Sequence, residues 1–333
     1  MEDQTVSHTD HQDDLGVSEI VAELKRLRLS ALANRNRSHK PPKLPSRKIL
    51  SAIVDGLGAV LFPNRLGLPD LKDEGLDYFV GHTLDTALRE LLTQVRLELK
   101  FTADDNAEHA PERDAAAIVR QFAKSLPRVR ELLDTDIGAA YEGDPAARSV
   151  DEVLVCYPGI HAILHYRLAH QLHQLGLPLI ARIVSEIAHS ATGIDIHPGA
   201  SIGEAFFIDH GTGVVIGETA IIGHHVRIYQ AVTLGAKRFP TDENGALIKG
   251  NARHPIVEDD VVIYAGATIL GRITIGRGSA IGGNVWLTHS VPAGSNVTQA
   301  KMDAAPLDAV SAAQSITPEA LRRNRQQDAT RYS

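Results

Sequence analysis

Aliphatic side chains recur at every sixth residue after Gly193. The series runs Ile196, Ile202, Ile208, then Ile216, Ile222, Ile228 and Leu234, and resumes at Val257, Ile263, Ile269, Ile275, Ile281 and Leu287. The residue that follows is often glycine, as in IGE, IGH, IGR and IGG. A period of six fits neither the 3.6 of a helix nor the 2.0 of a simple strand. It is the hexapeptide signature of a parallel β-helix, in which short flat faces meet at turns. The register is broken twice. Ile208 to Ile216 is eight residues, so FIDHGTGVV carries a two-residue bulge with Asp209 and His210 in it. Leu234 to Val257 is a gap of 23 residues, so a loop of about twenty residues (GAKRFPTDENGALIKGNARHPI) leaves the coil and returns. Regular repeats build scaffold; interruptions carry function.

The chain ahead of Gly193 is patterned differently. Segments 47–61, 84–100, 114–133 and 153–175 place apolar residues three and four apart, predicting an α-helical domain over 47–192. Breaks are expected at Pro63, Gly67, Pro127, Pro145, Pro158 and Gly176-Leu-Pro178. Residues 1–46 predict a mobile extension with one helix, VSEIVAELKRLRLSALA, followed by the basic linker NRNRSHKPPKLP. Within 1–48 every acid precedes residue 24 and every base follows it. The fold class expected is therefore α+β: a helical domain, a β-helix over 193–292 with an extruded loop at 235–256, and a tail over 293–333.

Composition narrows the function. Of 333 residues, 43% are hydrophobic, enough for a real core and incompatible with disorder throughout. A net charge of −7 argues against a nucleic-acid binder. The start MEDQTVSHTDHQDD is acidic where a signal peptide is basic and then apolar, and no long uncharged apolar run predicts a membrane span. The single cysteine, Cys156, makes no intrachain disulfide or thiolate zinc cluster, and points to a reducing, cytoplasmic location.

The sixteen histidines are the chemically open question. His161 and His165 are four apart on a predicted helix, and His170 and His173 three apart, so each pair could face a metal. The segment has neither the glutamate of HExxH nor a third ligand at fixed spacing, so packed or surface histidines are the better reading and no metal is assigned. His210 is set apart by its place in the bulge. Asp195 precedes it by fifteen residues, three short of a coil of three hexapeptides, which predicts that the two lie near one another, about one strand spacing (~4.8 Å) apart along the axis plus a lateral offset. A carboxylate that polarises an imidazole is a general-base arrangement; the alternative is that Asp195 merely caps the turn into the first coil. Arg253, beside His254 at the return of the loop, is a natural carboxylate partner or a surface arginine at a proline turn. Asp144-Pro145 reads as a helix N-cap with proline at N1.

The string GIDIHPGASIGEAFFIDHGTGVVIGETAIIGHHVRIYQAVTLGA, a loop ending in RHP, and then ATILGRITIGRGSAIGGNVW resembles serine O-acetyltransferase. The match covers about residues 140–290 and includes DIHP, DHGTG, GET, TLG and RHP. The resemblance implies a left-handed β-helix acetyltransferase that uses acetyl-CoA as co-substrate, with no permanently bound cofactor, and acetylates L-serine on the way to cysteine. It implies His210 as general base with Asp195 as dyad partner, Arg253 on the serine carboxylate, Asp144 and Asp209 on its ammonium, and His254 lining the same pocket. Gly235, Ala236, Ala265 and Gly283 would follow the pantetheine arm, although small residues also suit β-helix turns. A trimer or a dimer of trimers, and inhibition by cysteine, are implied as well.

The chain departs from the family in its longer loop and in lacking the glycine-proline-alanine tail. It ends ATRYS where many relatives end in the isoleucine that docks into O-acetylserine sulfhydrylase, so that complex is not expected by the usual mode. Two rivals fit the bare repeat: an acyltransferase with a sugar or homoserine acceptor, and a β-helix hydratase with zinc held by histidines of two subunits.

Overall fold

The computed structural model describes residues 15–34, 43–105, 113–238, 242–243, 245, 247–248 and 250–299. The acidic start, most of the basic linker and the chain after residue 299 lie outside these. Among the described residues eight helices lead: α1 (Val17–Asn34), α2 (Arg47–Leu61), α3 (Pro63–Leu66), α4 (Asp73–Asp105), α5 (Ala115–Gly143), α6 (Val150–Cys156), α7 (Pro158–Gln174) and α8 (Pro178–Thr192). Local chemistry sets their ends. Ser46, Asp114 and Ser149 cap α2, α5 and α6 by accepting backbone N–H groups, proline occupies the first turn of α7 and α8, and Gly193 ends α8 at φ 70°. The buried carboxylate of Glu98 accepts the N–H groups of Leu179 and Ile180, both at 2.8 Å, where the α8 dipole is positive. Pro127 does not end its helix as expected. α5 runs through it because Leu126, Val129, Leu133 and Ile137 keep one buried seam on either side. No described helix is long and apolar enough to cross a membrane.

Fourteen short strands follow among the described residues, all parallel, in three sheets. The first sheet stacks β1 (Asp195–Ile196), β4 (Val215–Ile216), β7 (Thr233–Gly235), β10 (Thr268–Leu270) and β13 (Trp286–Leu287). The second stacks β2 (Ser201–Ile202), β5 (Ile221–Ile222), β8 (Ile256–Val257) and β11 (Thr274–Ile275). The third stacks β3 (Phe207–Ile208), β6 (Arg227–Ile228), β9 (Val262–Ile263), β12 (Ala280–Ile281) and β14 (Asn296–Val297). The chain visits the sheets in rotation, so this is a three-sided β-helix. The in-register aliphatic residues fill its axis: Ile228, Leu234, Ile263, Ile269, Ile275 and Ile281 are fully buried.

The departures from register fall where the sequence placed them. The regular coil step is 18 residues, Val215 on Thr233. The bulge lengthens the first step to 20, Asp195 on Val215, and the extruded loop lengthens a later one to 35, Ile221 on Ile256. β14 carries the third sheet past residue 292 on a step shortened to 16 residues, Ala280 on Asn296.

A buried ion pair fastens the helices to the first coil. Arg167 of α7 grips Asp136 of α5 through two hydrogen bonds of 2.9 and 3.0 Å and donates to the carbonyls of Ile202 and Gly203, both at 2.6 Å. Asp136 accepts the Phe206 N–H at 2.9 Å, and the Tyr166 hydroxyl donates to the Ala200 carbonyl. At the end of α5, Gly143 packs on the Phe207 ring so closely that a Cβ there would stand 2.9 Å from it. These contacts deliver Asp144, the next residue, to the corner of the coil that carries Asp209.

Candidate active site

Residues named from sequence fall on two edges of the prism, on either side of the first sheet. The edge entering that sheet from the third holds Asp209 and His210. It also holds Ala265 and Gly283, stacked so that the Asn284 N–H reaches the Ala265 carbonyl at 2.9 Å. The edge leaving the first sheet toward the second holds Gly235, Ala236, Arg253 and His254. One strand of the first sheet separates the two edges in every coil.

On the first edge, Asp144 accepts from the Tyr157 hydroxyl at 2.5 Å and from the Ala146 N–H at 2.8 Å. The Tyr157 bond, helped by Ala146 and by the charges of Arg227 and His210, holds its carboxyl below the usual range. The same bond pushes the Tyr157 phenol up to about 12. Asp209 is half of a second pair: Nη2 of Arg227 donates to it at 2.5 Å and Nη1 donates to the Gly143 carbonyl at 2.7 Å. The Arg227 guanidinium lies over the rings of Phe207 and Tyr229, at 4.9 and 4.7 Å. One arginine thus spans from Asp209 to the residue before Asp144 and fixes the spacing of two carboxylates. His210 projects outward at φ 57°, its side chain 73% exposed. Its Nε2 is 3.9 Å from Asp209, its one ion-pair contact among the described residues.

Among the described residues, Asp195 and His210 form no hydrogen bond or ion pair with one another. Because the bulge pairs Asp195 with Val215, His210 stays on the corner ahead of that strand. Asp195 instead lies with Glu186 and His189 of α8, ligand atoms within 4.8 Å of one another, the one group of three among the described residues that could hold a metal ion. Glu186 there is already paired with Arg182 at 2.7 Å and His189 at 3.2 Å.

On the second edge, Arg253 pairs with Glu218 at 2.6 Å. Against burial, which would raise it, this pair keeps the Glu218 carboxyl below its ordinary range. His254 is buried, and burial followed by the Arg253 charge lowers its imidazole to about 4. A cavity of about 640 Å³ opens between this edge and the extruded loop, lined by Arg253, Lys237, Arg238, Arg272, Leu247 and Leu270.

Helix histidines are used structurally. Nδ1 of His165 is 2.9 Å from the His161 carbonyl, and Nδ1 of His170 is 2.8 Å from that of Pro198. Cys156 is exposed at the end of α6. Sequence reading missed Tyr157, Glu218, Thr219 and Arg227 as parts of the site. For Arg227 a signal existed: the repeat stacks it on Phe207, two residues before Asp209. Tyr157 carries no signal beyond standing next to Pro158.

No model of a protein family matches the chain. It is 58% identical over 292 residues to the "serine acetyltransferase, plasmid" of Synechococcus elongatus, covering 86% of this chain and 92% of that one. The serine acetyltransferase of Mycobacterium tuberculosis is 52% identical over 157 residues, 47% of this chain and 65% of that one. Among solved structures, serine acetyltransferase 1 of Entamoeba histolytica in complex with L-cysteine superposes with a TM-score of 0.66 at 38% identity, over 74% of this chain and 86% of that one.

Proposed function

The chain belongs to the serine acetyltransferase family, a helical domain followed by a left-handed β-helix, and from that premise we propose that it acetylates L-serine with acetyl-CoA on a site completed between neighbouring copies. The observation that carries this reading is the division of charge between the two edges. A zwitterionic amino acid needs an anionic clamp for its ammonium and a cationic one for its carboxylate. Asp144 and Asp209 supply the first, Arg253 the second, and in one chain they flank opposite sides of a sheet. A cyclic trimer lays the Asp209 edge of one copy against the Arg253 edge of the next, and every site closes. Two trimers joined through their helical domains would make a hexamer.

In the reaction, His210 takes the proton from the serine hydroxyl as Oγ attacks the thioester carbonyl. The tetrahedral adduct collapses, the C–S bond breaks, and the imidazolium returns its proton to the leaving thiolate. The products are O-acetyl-L-serine and CoA, the step that commits serine to cysteine synthesis. No covalent acyl-enzyme is required, and Cys156 has no part. Asp195 serves as dyad partner once the exposed His210 ring turns toward it or a neighbouring copy supplies it. Ala265 and Gly283 on one edge and Gly235 and Ala236 on the other border the groove for the pantetheine arm. L-cysteine has the same ammonium and carboxylate as serine, so the same clamps would hold it as an inhibitor. A reducing cytoplasm suits the lone thiol.

The test is serine-dependent release of CoA thiol from acetyl-CoA, run beside homoserine and sugar acceptors and with metal analysis of the purified protein. Release that is greatest with serine and indifferent to chelators is expected. Preference for another acceptor, or stoichiometric zinc with hydratase activity, overturns the reading.

A further inference from the structure

Gly217-Glu218-Thr219 follows β4 and turns the chain into β5. None of the three has been assigned a contact with substrate, yet all three meet Arg253 or His254. The Thr219 hydroxyl is used completely. Its oxygen accepts the Arg253 N–H at 2.9 Å and the His254 N–H at 3.1 Å. With both lone pairs occupied, its proton is left to donate, and Nδ1 of His254 stands 2.9 Å away. The Thr219 backbone N–H donates to the same Nδ1 at 3.0 Å. A ring nitrogen that accepts a backbone N–H carries no proton of its own, so this network assigns the hydrogen to Nε2. The imidazole, lowered to about 4, stays neutral at neutral pH. Nε2 has no hydrogen-bond partner among the described residues.

The neighbours secure the same arrangement. A Cβ on Gly217 would stand 2.7 Å from Cγ of His254 and closer still to Cδ2 and Nε2, so the ring rests where only glycine leaves room. Glu218 holds the Arg253 guanidinium, and Nη1 of Arg272 donates to the carbonyls of Thr219 at 2.6 Å and His254 at 3.0 Å. The two histidines of the site are thereby opposites. The His210 side chain makes no hydrogen bond among the described residues, whereas His254 is held as a neutral donor.

We propose that Thr219 is a positioning residue of the carboxylate-binding edge: it fixes His254 as an Nε2–H donor toward the anionic end of the substrate and holds Arg253 beside it. This rests on the serine reading, so wild-type enzyme without serine-dependent thiol release would defeat that reading before any variant is compared.

With wild type active, Thr219→Val is expected to raise the serine KM at least tenfold while the acetyl-CoA KM and kcat move less than threefold. Thr219→Ser should return the serine KM to within threefold of wild type. In the cycle with His254→Ala, the two losses in kcat/KM should be clearly less than additive, because Thr219→Val acts in part through His254 and only its effect on Arg253 remains once that ring is gone. A serine KM unmoved by valine, additive losses in the cycle, or an equal rise in the acetyl-CoA KM overturns the proposal. Should the valine variant fail to fold, His254→Gln and His254→Leu decide. The glutamine amide offers an N–H near the Nε2 position, so its serine KM should be at least tenfold below that of leucine, and equal values refute the donor role.

Discussion

Replacing His210 with asparagine separates chemistry from folding. The residue sits at φ 57°, a conformation that asparagine tolerates better than most non-glycine residues, so the backbone is kept. Its side chain is 73% exposed and lies 3.9 Å from Asp209, a surface ion-pair distance worth about 0–1 kcal/mol. The expected loss of stability is therefore no more than about 1 kcal/mol. The loss in catalysis is far larger, because a positioned general base contributes on the order of 10²–10⁴ in rate. That corresponds to roughly 3–5.5 kcal/mol of barrier. Both clamps remain, so the serine KM should change by less than a few-fold while kcat carries the loss. The assay is steady-state release of CoA thiol at varied serine, with thermal unfolding and size measured on the same preparation. A folded variant of wild-type size that retains kcat within tenfold would refute His210 as the base. A large fall in melting temperature would refute the premise that the residue is structurally idle.

Tyr157→Phe removes the 2.5 Å bond to Asp144. Discounted for partial exposure, that bond should be worth about 1 kcal/mol, a rise in serine KM of roughly three- to tenfold with kcat nearly unchanged; an unmoved KM would deny Asp144 its place in the ammonium clamp. Asp195→Asn should lower kcat at least tenfold without loss of stability, since it removes one of two carboxylates crowded beside His189; an unchanged kcat would mean that His210 works without that partner. Acid should destabilise the fold through His165, His197 and His254, each lowered to about 4 chiefly by burial. Between about 6.5 and 4 the unfolded chain binds more protons at these sites than the folded one, so their contribution is full above the unfolded pKa and is lost as pH falls through that window. Urea midpoints at pH 7.5, 6 and 5 should decline in that order, and a flat series would contradict it.

The sequence was most legible where one physical constraint repeats. Each aliphatic residue of the hexad must fill the same axis, so the register from Ile196 to Leu287 could be read without any contact being known. The same regularity made the bulge at Asp209-His210 and the loop ending at Arg253-His254 visible as exceptions. Pairings that depend on absolute geometry were less accessible. The Asp195–His210 expectation followed from an 18-residue coil, and the bulge that singles out His210 also lengthens that coil to 20, setting Asp195 beside Val215. Tyr157 was hidden for another reason: from the end of α6 it meets Asp144 at the end of α5, thirteen residues away, and no local period connects them, whereas the stacking of Arg227 on Phe207 was open to the repeat. Pro127 misled because helix propensity is local, whereas the seam from Phe122 to Ala140 is held by the rest of the helical domain.

Each half of the site has its own backing within a single chain. Arg227 sets the spacing of the acidic clamp by joining Asp209 to the end of α5, and Thr219 sets the cationic edge by joining β4's exit to the return of the extruded loop. Neither link crosses the first sheet. What the isolated chain does not fix is the distance from its Asp209 edge to the Arg253 edge of a neighbouring copy, which is the distance that a zwitterionic substrate would span in the proposed site. Association of copies would therefore determine substrate fit directly, while substitutions behind either edge would act on that edge alone. Effects of Tyr157→Phe and Thr219→Val on serine binding should consequently add, because the residues behind them share no partner.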